Sequence, residues 1–344
     1  MALRAVLIGC GAMSRAWLEA ATRTDGLEVV GLADIDQTRA SARAAEFGLT
    51  SAAIAADAPS LLQATKPDIL FDVTVPAARH AVVSAALKAG CHVLTEKPMA
   101  ESMADARDLV ARAKAAGRMY AIVQNRRYLP AVRRIARVVR SGIIGAVTDV
   151  HADFFRAPHF GGFREEMNHV LLLDMAIHGF DAMRAMTGLD AIGVTCREWE
   201  PKQSWYHQGS SAAAWFDLAN GGVFTYRGSW CAQGLPTSWE CAWRIVGEKG
   251  TLLWDGDDTI RIDRVTGPRD GLFDAVVAAD VPPLSDEDRI GGHAGVIADF
   301  VAAIVTGRLA ETRGEDNIKS LAMALGAIAS AEAGAPRKLE IETP

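Results

Sequence analysis

The first third of the chain consists of short apolar runs separated by stretches with helical spacing. Ala5-Val6-Leu7-Ile8, Glu28-Val29-Val30-Gly31-Leu32-Ala33, Ile69-Leu70-Phe71-Asp72-Val73-Thr74-Val75, His92-Val93-Leu94-Thr95 and Met119-Tyr120-Ala121-Ile122-Val123 are nearly continuous in hydrophobic residues. Continuous runs, as opposed to alternating ones, are expected of strands covered on both faces. Between them, residues 77–89 and 104–116 read as alanine-rich helices closed by Gly90 and Gly117, the residue type favoured just past a helix C-terminus. Strands alternating with helices predict a doubly wound parallel sheet, with residues 119–123 as its last strand.

Beyond Val123 the texture changes. Residues 124–130 lead into a basic helix that ends near Ser141-Gly142. Residues 147–154 alternate apolar and polar positions, as in a strand with one covered face. A loop rich in aromatics and charge follows, carrying Phe155, Arg156, His159, Phe160, Phe163 and Arg164. One long helix is predicted from Leu171 to Met186, then mostly strand over 191–262, helices over 292–306 and 316–333, and a closing strand at 337–341. The fold class expected is therefore α/β followed by α+β: residues 1–123 in a parallel sheet, residues 124–344 around a largely antiparallel one.

A length of 344 residues suits two domains, and 50% hydrophobic residues supply large cores. The formal net charge of −6 has acids and bases interspersed, which argues against a nucleic-acid partner. The run Arg126, Arg127, Arg133, Arg134, Arg137 and Arg140 reads as the solvated face of a helix. Five scattered cysteines have no zinc-ligand spacing and read as free thiols of a reducing cytoplasm. The N-terminus runs straight into a strand, so a signal peptide is not expected, and no apolar run is long enough to span a bilayer.

Chemistry enters at three places. In Gly9-Cys10-Gly11-Ala12-Met13-Ser14, between a strand and a helix, Gly9 permits a tight turn and Gly11 lets the backbone approach a pyrophosphate at the helix N-terminus. Ser14 stands at the third glycine position. Asp34 ends the second strand, where a carboxylate accepts hydrogen bonds from the adenosine ribose and repels a 2′-phosphate. With Asp36 adding negative charge and Arg39 the only nearby base, NAD is preferred to NADP. In Val93-Leu94-Thr95-Glu96-Lys97-Pro98, the proline stops the strand and leaves Lys97 at a carboxyl end, where ligands of open α/β sheets sit. On the long helix, Asp174, His178 and Asp181 are spaced by four and three residues, on one face of an otherwise apolar cylinder. That polar line is expected to face a cleft, with His178 as a general acid/base. No metal site is expected, because no third ligand has an evident spacing. Seven of the eight tryptophans lie between residues 199 and 254; packing is favoured over sugar stacking for most of them.

Taken together these elements resemble the Gfo/Idh/MocA oxidoreductases, the glucose–fructose oxidoreductase and inositol dehydrogenase relatives. The carriers are Gly9-Cys10-Gly11 with Trp17, Pro76 with His80, the stretch from Gly90 to Pro98, Arg127-Tyr128-Leu129-Pro130, and the stretch from Asp174 to Asp181. The resemblance implies a Rossmann domain followed by an open-faced mixed sheet that mediates dimers or tetramers. It matches Lys97, Asp174 and His178 to a catalytic lysine, aspartate and histidine, and it implies a cis Lys97-Pro98 bond. Asn125 falls where nicotinamide and substrate meet. The cofactor set is then Gly9, Gly11, Ala12, Met13, Asp34, Thr74, Pro76, Glu96, Lys97 and Asn125, and the substrate set is Arg127, His169 and Asp174. The family often carries a glycine pair before the helix's catalytic acid; here His169 and Val170 stand there, and His169 either touches substrate or fills space. Arg126, Arg127, Arg156 and Arg164 either hold an anionic group or cover the surface. The implied activity is NAD-dependent oxidation of a sugar, polyol or cyclitol in cytoplasmic carbohydrate metabolism. The alternatives are reduction of a non-sugar carbonyl or cyclic diol, and a non-catalytic dinucleotide sensor, against which the intact Lys97, Asp174 and His178 argue.

Overall fold

Strand and helix alternate from the first residues: β1 (Leu3–Ile8), α1 (Ser14–Ala21), β2 (Leu27–Ala33), α2 (Gln37–Glu46), β3 (Ala53–Ala55), α3 (Ala58–Thr65), β4 (Ile69–Asp72), α4 (Pro76–Lys88), β5 (His92–Thr95), α5 (Met103–Ala116) and β6 (Tyr120–Ile122). This is a computed structural model, which describes residues 2–342 apart from residue 287. All six strands pair in parallel, in the order β3-β2-β1-β4-β5-β6, the doubly wound order with its switch point between β1 and β4. The continuous apolar runs are buried as expected; all four residues of β4 are inaccessible. Helix boundaries follow local chemistry. Asp57 and Ser102 cap α3 and α5 by accepting the Ser60 and Asp105 backbone N–H, and Gly117 closes α5 at a φ of 61°. β3 is a three-residue, half-buried edge strand, too short to leave a hydrophobic signature.

The remainder comprises α6 (Pro130–Arg140), β7 (Val147–Phe155), a π-helical stretch Leu171–Ala176 running into α7 (Ile177–Thr187), β8 (Ala191–Trp199), β9 (Ser211–Leu218), β10 (Val223–Ser229), β11 (Ala242–Gly247), β12 (Gly250–Trp254), β13 (Ile260–Asp270), β14 (Phe273–Ala279), α8 (His293–Thr306), α9 (Gly314–Ala333) and β15 (Arg337–Lys338). The nine strands form a mixed sheet, β14-β13-β12-β11-β7-β10-β9-β8-β15. Only the β7–β10 pair is parallel. Strand alternation decides its two faces. Phe216, Phe224 and Tyr226 point toward α7 and surround Phe180, at ring separations of 4.9, 6.1 and 5.3 Å. On the other face Trp215 is 49% exposed.

Contacts divide the chain into two units, each discontinuous in sequence: residues up to 128 with 289–321, and residues 129–288 with 322–341. Within the first, Val296, Ile297 and Phe300 of α8 share a core with Leu7, Trp17, Leu18 and Phe71. One expectation needs correction. The basic stretch is not a solvated face: Arg127 is buried against Asp316, at 2.6 Å, Arg134 donates to the Pro282 carbonyl at 2.9 Å, and Arg137 pairs with Asp288. Arg127 is thereby tied to the first turn of α9, and Arg134 and Arg137 hold down chain that has no regular structure of its own. The tryptophans divide: Trp230, Trp243 and Trp254 are buried, whereas Trp199, Trp215 and Trp239 keep more than a third of their surface. All five cysteines are free and buried.

Candidate active site

In a parallel sheet every strand delivers its C-terminus to the same edge. Five such ends collect the sequence-predicted cofactor residues: Gly9, Gly11, Ala12 and Met13 after β1, Asp34 after β2, Thr74 and Pro76 after β4, Glu96 and Lys97 after β5, and Asn125 after β6. From β2 to β6 the row covers four inter-strand steps, about 19 Å at ~4.8 Å each, room for an extended ligand. Gly9 sits at φ +96° with the Val73 carbonyl where a Cβ would stand, whereas Gly11 faces open space. Among the described residues no group accepts from the backbone N–H of Gly11, Ala12 or Met13, so three donors stand open at the start of α1. Beside them lies a hollow of about 330 Å³, lined by Cys10, Gly11, Arg39, Arg43 and Glu46. At the far end of the row, Gln124 Oε1 and Nε2 and Asn125 Oδ1 are buried without a hydrogen-bond partner among the described residues. Open amides at a helix N-terminus and orphaned amide groups further along fit a nicotinamide dinucleotide.

Asp34 is fixed by two backbone donors, Cys10 N–H at 2.7 Å and Asp36 N–H at 2.9 Å. The helix cap is Asp36, which accepts from Thr38 N–H at 3.0 Å, so Asp34 is left with lone pairs toward the ligand side. Burial and the Asp34 charge, against the opposing pull of Arg43, push the Cys10 thiol up to about 12, which keeps it neutral.

Two buried polar clusters set the loops around Lys97. Asp72 accepts from Arg79 Nε at 3.1 Å, Thr95 Oγ1 at 2.6 Å and Thr74 N–H at 3.0 Å. The same Arg79 guanidinium donates to the Thr74 carbonyl at 2.6 Å and to the Pro98 carbonyl. One inaccessible ion pair therefore braces the turn after β4 and the Lys97-Pro98 turn, whose peptide bond is cis. Breaking such a pair costs about 3–5 kcal/mol. In the second cluster Glu96 accepts from the Trp17 indole at 2.7 Å, with His293 Nε2 at 3.7 Å. Burial opposes ionisation of Glu96, but His293, the Trp17 N–H and the charge of Lys97 outweigh it and hold the carboxyl below its usual range. The carboxylate also accepts the Lys97 backbone N–H at 3.2 Å. Sequence reading missed Arg79 and His293. An arginine in an alanine-rich helix reads as exposed, and His293 meets Asn125 across 168 residues of chain.

In the second unit the long helix departs from its predicted geometry. Residues 171–176 are π-helical, so the spacing of Asp174 from His178 is not that of one regular α-helical turn. Asp181 does not belong to the polar line: it is buried and pairs with Arg184 at 3.8 Å. From Val170 to Arg184 only Leu173, Asp174 and His178 retain accessible surface, so two of the three polar residues do share an open stripe. Single π turns inside helices recur at functional sites. Asp174 accepts from Arg164 Nε at 2.9 Å.

His169 precedes this helix at φ +54°. Its Nδ1 lies 2.6 Å from Glu198 Oε2 and its Nε2 lies 3.4 Å from Glu332 Oε1. The Glu198 hydrogen bond outweighs burial and, with the charges of Glu198 and Glu332, raises the imidazole pKa. A pKa raised by folding contributes stability that is fully present below the unfolded value and is lost as pH rises through the folded one. His169→Asn tolerates positive φ and is expected to lower Tm near pH 6 by about 2–4 °C, with the deficit shrinking toward pH 9. Thermal melts across that range check it; a deficit independent of pH would show that the imidazolium pair is not the cause.

A dinucleotide-binding parallel sheet continued by an open mixed sheet defines an oxidoreductase with a nicotinamide cofactor. Residues 3–124 match the oxidoreductase family with an NAD-binding Rossmann fold, and residues 132–253 match the GFO/IDH/MocA C-terminal domain. The chain belongs to the Gfo/Idh/MocA family. D-apiose dehydrogenase of Paraburkholderia graminis is 27% identical to it over 99% of this chain and 92% of that protein. Inositol 2-dehydrogenase/D-chiro-inositol 3-dehydrogenase of Lacticaseibacillus casei is 32% identical over 53% of this chain and 52% of its own. The solved oxidoreductase from Agrobacterium radiobacter, in complex with NAD+, L-tartaric acid and magnesium, has the same fold: TM-score 0.85 at 22% identity, over 98% of both chains. No helix among the described residues is long and apolar enough to cross a membrane.

Proposed function

We propose that the protein is an NAD-dependent dehydrogenase that oxidises a hydroxyl-bearing carbon of a sugar, polyol or cyclitol. The observation that carries this reading is a largely buried helix on which, from Val170 to Arg184, the polar residues that are not buried are Asp174 and His178, in a chain that places Lys97 two residues past the end of a strand of its dinucleotide sheet. The dehydrogenases named above act on such compounds, which supports the same substrate class here. When bound, the nicotinamide supplies the hydride acceptor. His178 takes the hydroxyl proton, Lys97 stabilises the developing alkoxide by a charged hydrogen bond, and Asp174 orients the hydroxyl. Gly11, Ala12 and Met13 N–H hold the pyrophosphate, and Asp34 the adenosine ribose, which favours NAD over NADP. Residues 1–123 bind the cofactor, and residues 124–344 bind substrate and carry the subunit contact. The homo-oligomer contact is assigned to the open face of the mixed sheet. The reaction is assigned to the cytoplasm.

A screen of polyols, aldoses and cyclitols, followed by NADH absorbance with NAD+ and NADP+ in parallel, tests this reading. Turnover of a neutral or acidic polyhydroxy compound is expected, with NAD+ favoured at least about tenfold, a difference of ~1.4 kcal/mol. No turnover across the panel with tight NADH binding retained would favour a sensor, and a preference for NADP+ would sink the role given to Asp34.

A further inference from the structure

Four arginines were candidates for an anionic substrate group, and their environments separate them. Arg127 is buried against Asp316 and donates to the Glu311 carbonyl. Arg156 donates to the Thr237 carbonyl at 2.6 Å and its guanidinium carbon lies over Trp239, 4.4 Å from the ring centre. Arg126 has one terminal guanidinium nitrogen buried and is already engaged by other groups of the chain. Arg164 differs. Its Nε alone touches Asp174, and among the described residues neither terminal nitrogen meets a hydrogen-bond acceptor. An arginine recruited only to neutralise a carboxylate ordinarily pairs through two parallel contacts. Here one contact is made and the terminal edge of the fork is turned away.

The fork is also held in place. Its guanidinium carbon lies 4.9 Å from the Phe163 ring centre and 5.3 Å from that of Phe160, and Phe160 is packed on Trp230 at 5.0 Å. The neighbouring Glu165 does not compete for it, because its carboxylate accepts Gly161 N–H at 2.9 Å. The side chain is 29% exposed and that of Asp174 only 11%, so the open edge stands at the accessible rim of the residue proposed to hold the reacting hydroxyl.

We propose that Arg164 binds a substrate carboxylate end-on through its two terminal nitrogens, and that the substrate is therefore a hydroxy acid of the sugar series, an aldonate or uronate, in place of a neutral sugar. This deepens the proposed function and rests on it. Geometry selects a carboxylate over a phosphate ester: the two terminal N–H donors match the two oxygens of a carboxylate, and because Asp174 already offsets the single guanidinium charge, the fork holds a monoanion by hydrogen bonds and is far short of charge for a dianion.

Matched pairs test this: D-gluconate with D-glucitol, D-galacturonate with D-galactose, and galactose 6-phosphate as the phosphate arm. In the wild type kcat/KM is expected to favour the acid by about ten- to a hundredfold, the range for a charge-assisted bidentate contact. Arg164→Gln should bring that ratio near one, and Arg164→Lys, which keeps the charge without the fork, should restore part of it. Calorimetric titration of each acid into the protein–NADH complex supplies a second readout, with Kd weakened at least tenfold in Arg164→Gln and the fold confirmed by an unchanged melt. Turnover of neutral members without preference for acids, a ratio unmoved by Arg164→Gln, or a preference for the phosphate would overturn this inference while leaving the dehydrogenase reading intact. Acid binding that depends on Arg164 with no turnover of any pair would do the reverse. Absence of acid binding together with absence of turnover would overturn both.

Discussion

Lys97→Ala is expected to lower kcat/KM by about 10²–10³, the loss typical of removing one donor aimed at a developing oxyanion, while NADH affinity stays within about twofold. The expectation follows from how the strand end is built. β5 stops at Thr95, and the next residue is a buried carboxylate held ionised by Trp17, His293 and the lysine charge. Arg79 clamps the turn from behind through the Pro98 carbonyl. The backbone of Lys97 is thereby fixed by groups the substitution leaves untouched, so an alanine removes the ammonium without moving the turn. Steady-state kinetics on the substrate found by the screen, with NADH fluorescence titration as control, decides the matter. Wild-type-like turnover would remove Lys97 from the mechanism. Loss of NADH binding in step with turnover would place it in cofactor binding alone.

The parallel sheet was legible because its strands are buried on both faces and therefore apolar throughout, and because glycine and proline punctuate them. The mixed sheet was legible from alternation, as at residues 147–154, where every second side chain meets the helices. What escaped was of two kinds. Elements with weak local signatures did not show: β3 is three half-buried residues at an edge, and the π turn at Leu171–Ala176 depends on hydrogen bonds one residue longer than the α pattern, which periodicity at 3.6 residues does not report. The other kind was pairing across long sequence separations. Asp181 fits the polar line by spacing, yet the fold buries it beside Arg184; Arg79 resembles a surface residue until Asp72 is placed behind it. The glycines, Asp34 and Lys97 were visible because strand-to-helix turns are local. Arg164 was visible only as one of four equivalent cations, since its distinction lies in which acceptors its neighbours have already taken.

The two glycines of the β1 turn separate folding from cofactor binding. At Gly9 a Cβ would lie 2.6 Å from the Val73 carbonyl oxygen and 2.7 Å from its carbon, on a backbone at φ +96°. Neither atom belongs to a side chain that can rotate away, so Gly9→Ala has to part β1 from the turn after β4 at the switch point of the sheet. Strained φ and overpacking together cost roughly 2–6 kcal/mol, and Tm is expected to fall by roughly 10 °C. At Gly11 a Cβ meets nothing within 4 Å and φ is not positive, so Gly11→Ala is expected to melt within about 1 °C of the wild type, helped slightly by the stiffer unfolded chain. Its methyl, however, occupies the space through which a pyrophosphate approaches the open N–H groups of Gly11, Ala12 and Met13. NADH affinity is therefore expected to drop at least about tenfold, ~1.4 kcal/mol, in a protein that remains folded. Melting curves and NADH titrations on the two variants give the answer side by side. A stable Gly9→Ala protein would mean that β1 and the β4 turn separate more easily than their backbone contact implies. A Gly11→Ala protein with unchanged NADH affinity would mean that the pyrophosphate does not cross this turn, and the assignment of Asp34 to the adenosine ribose would fall with it.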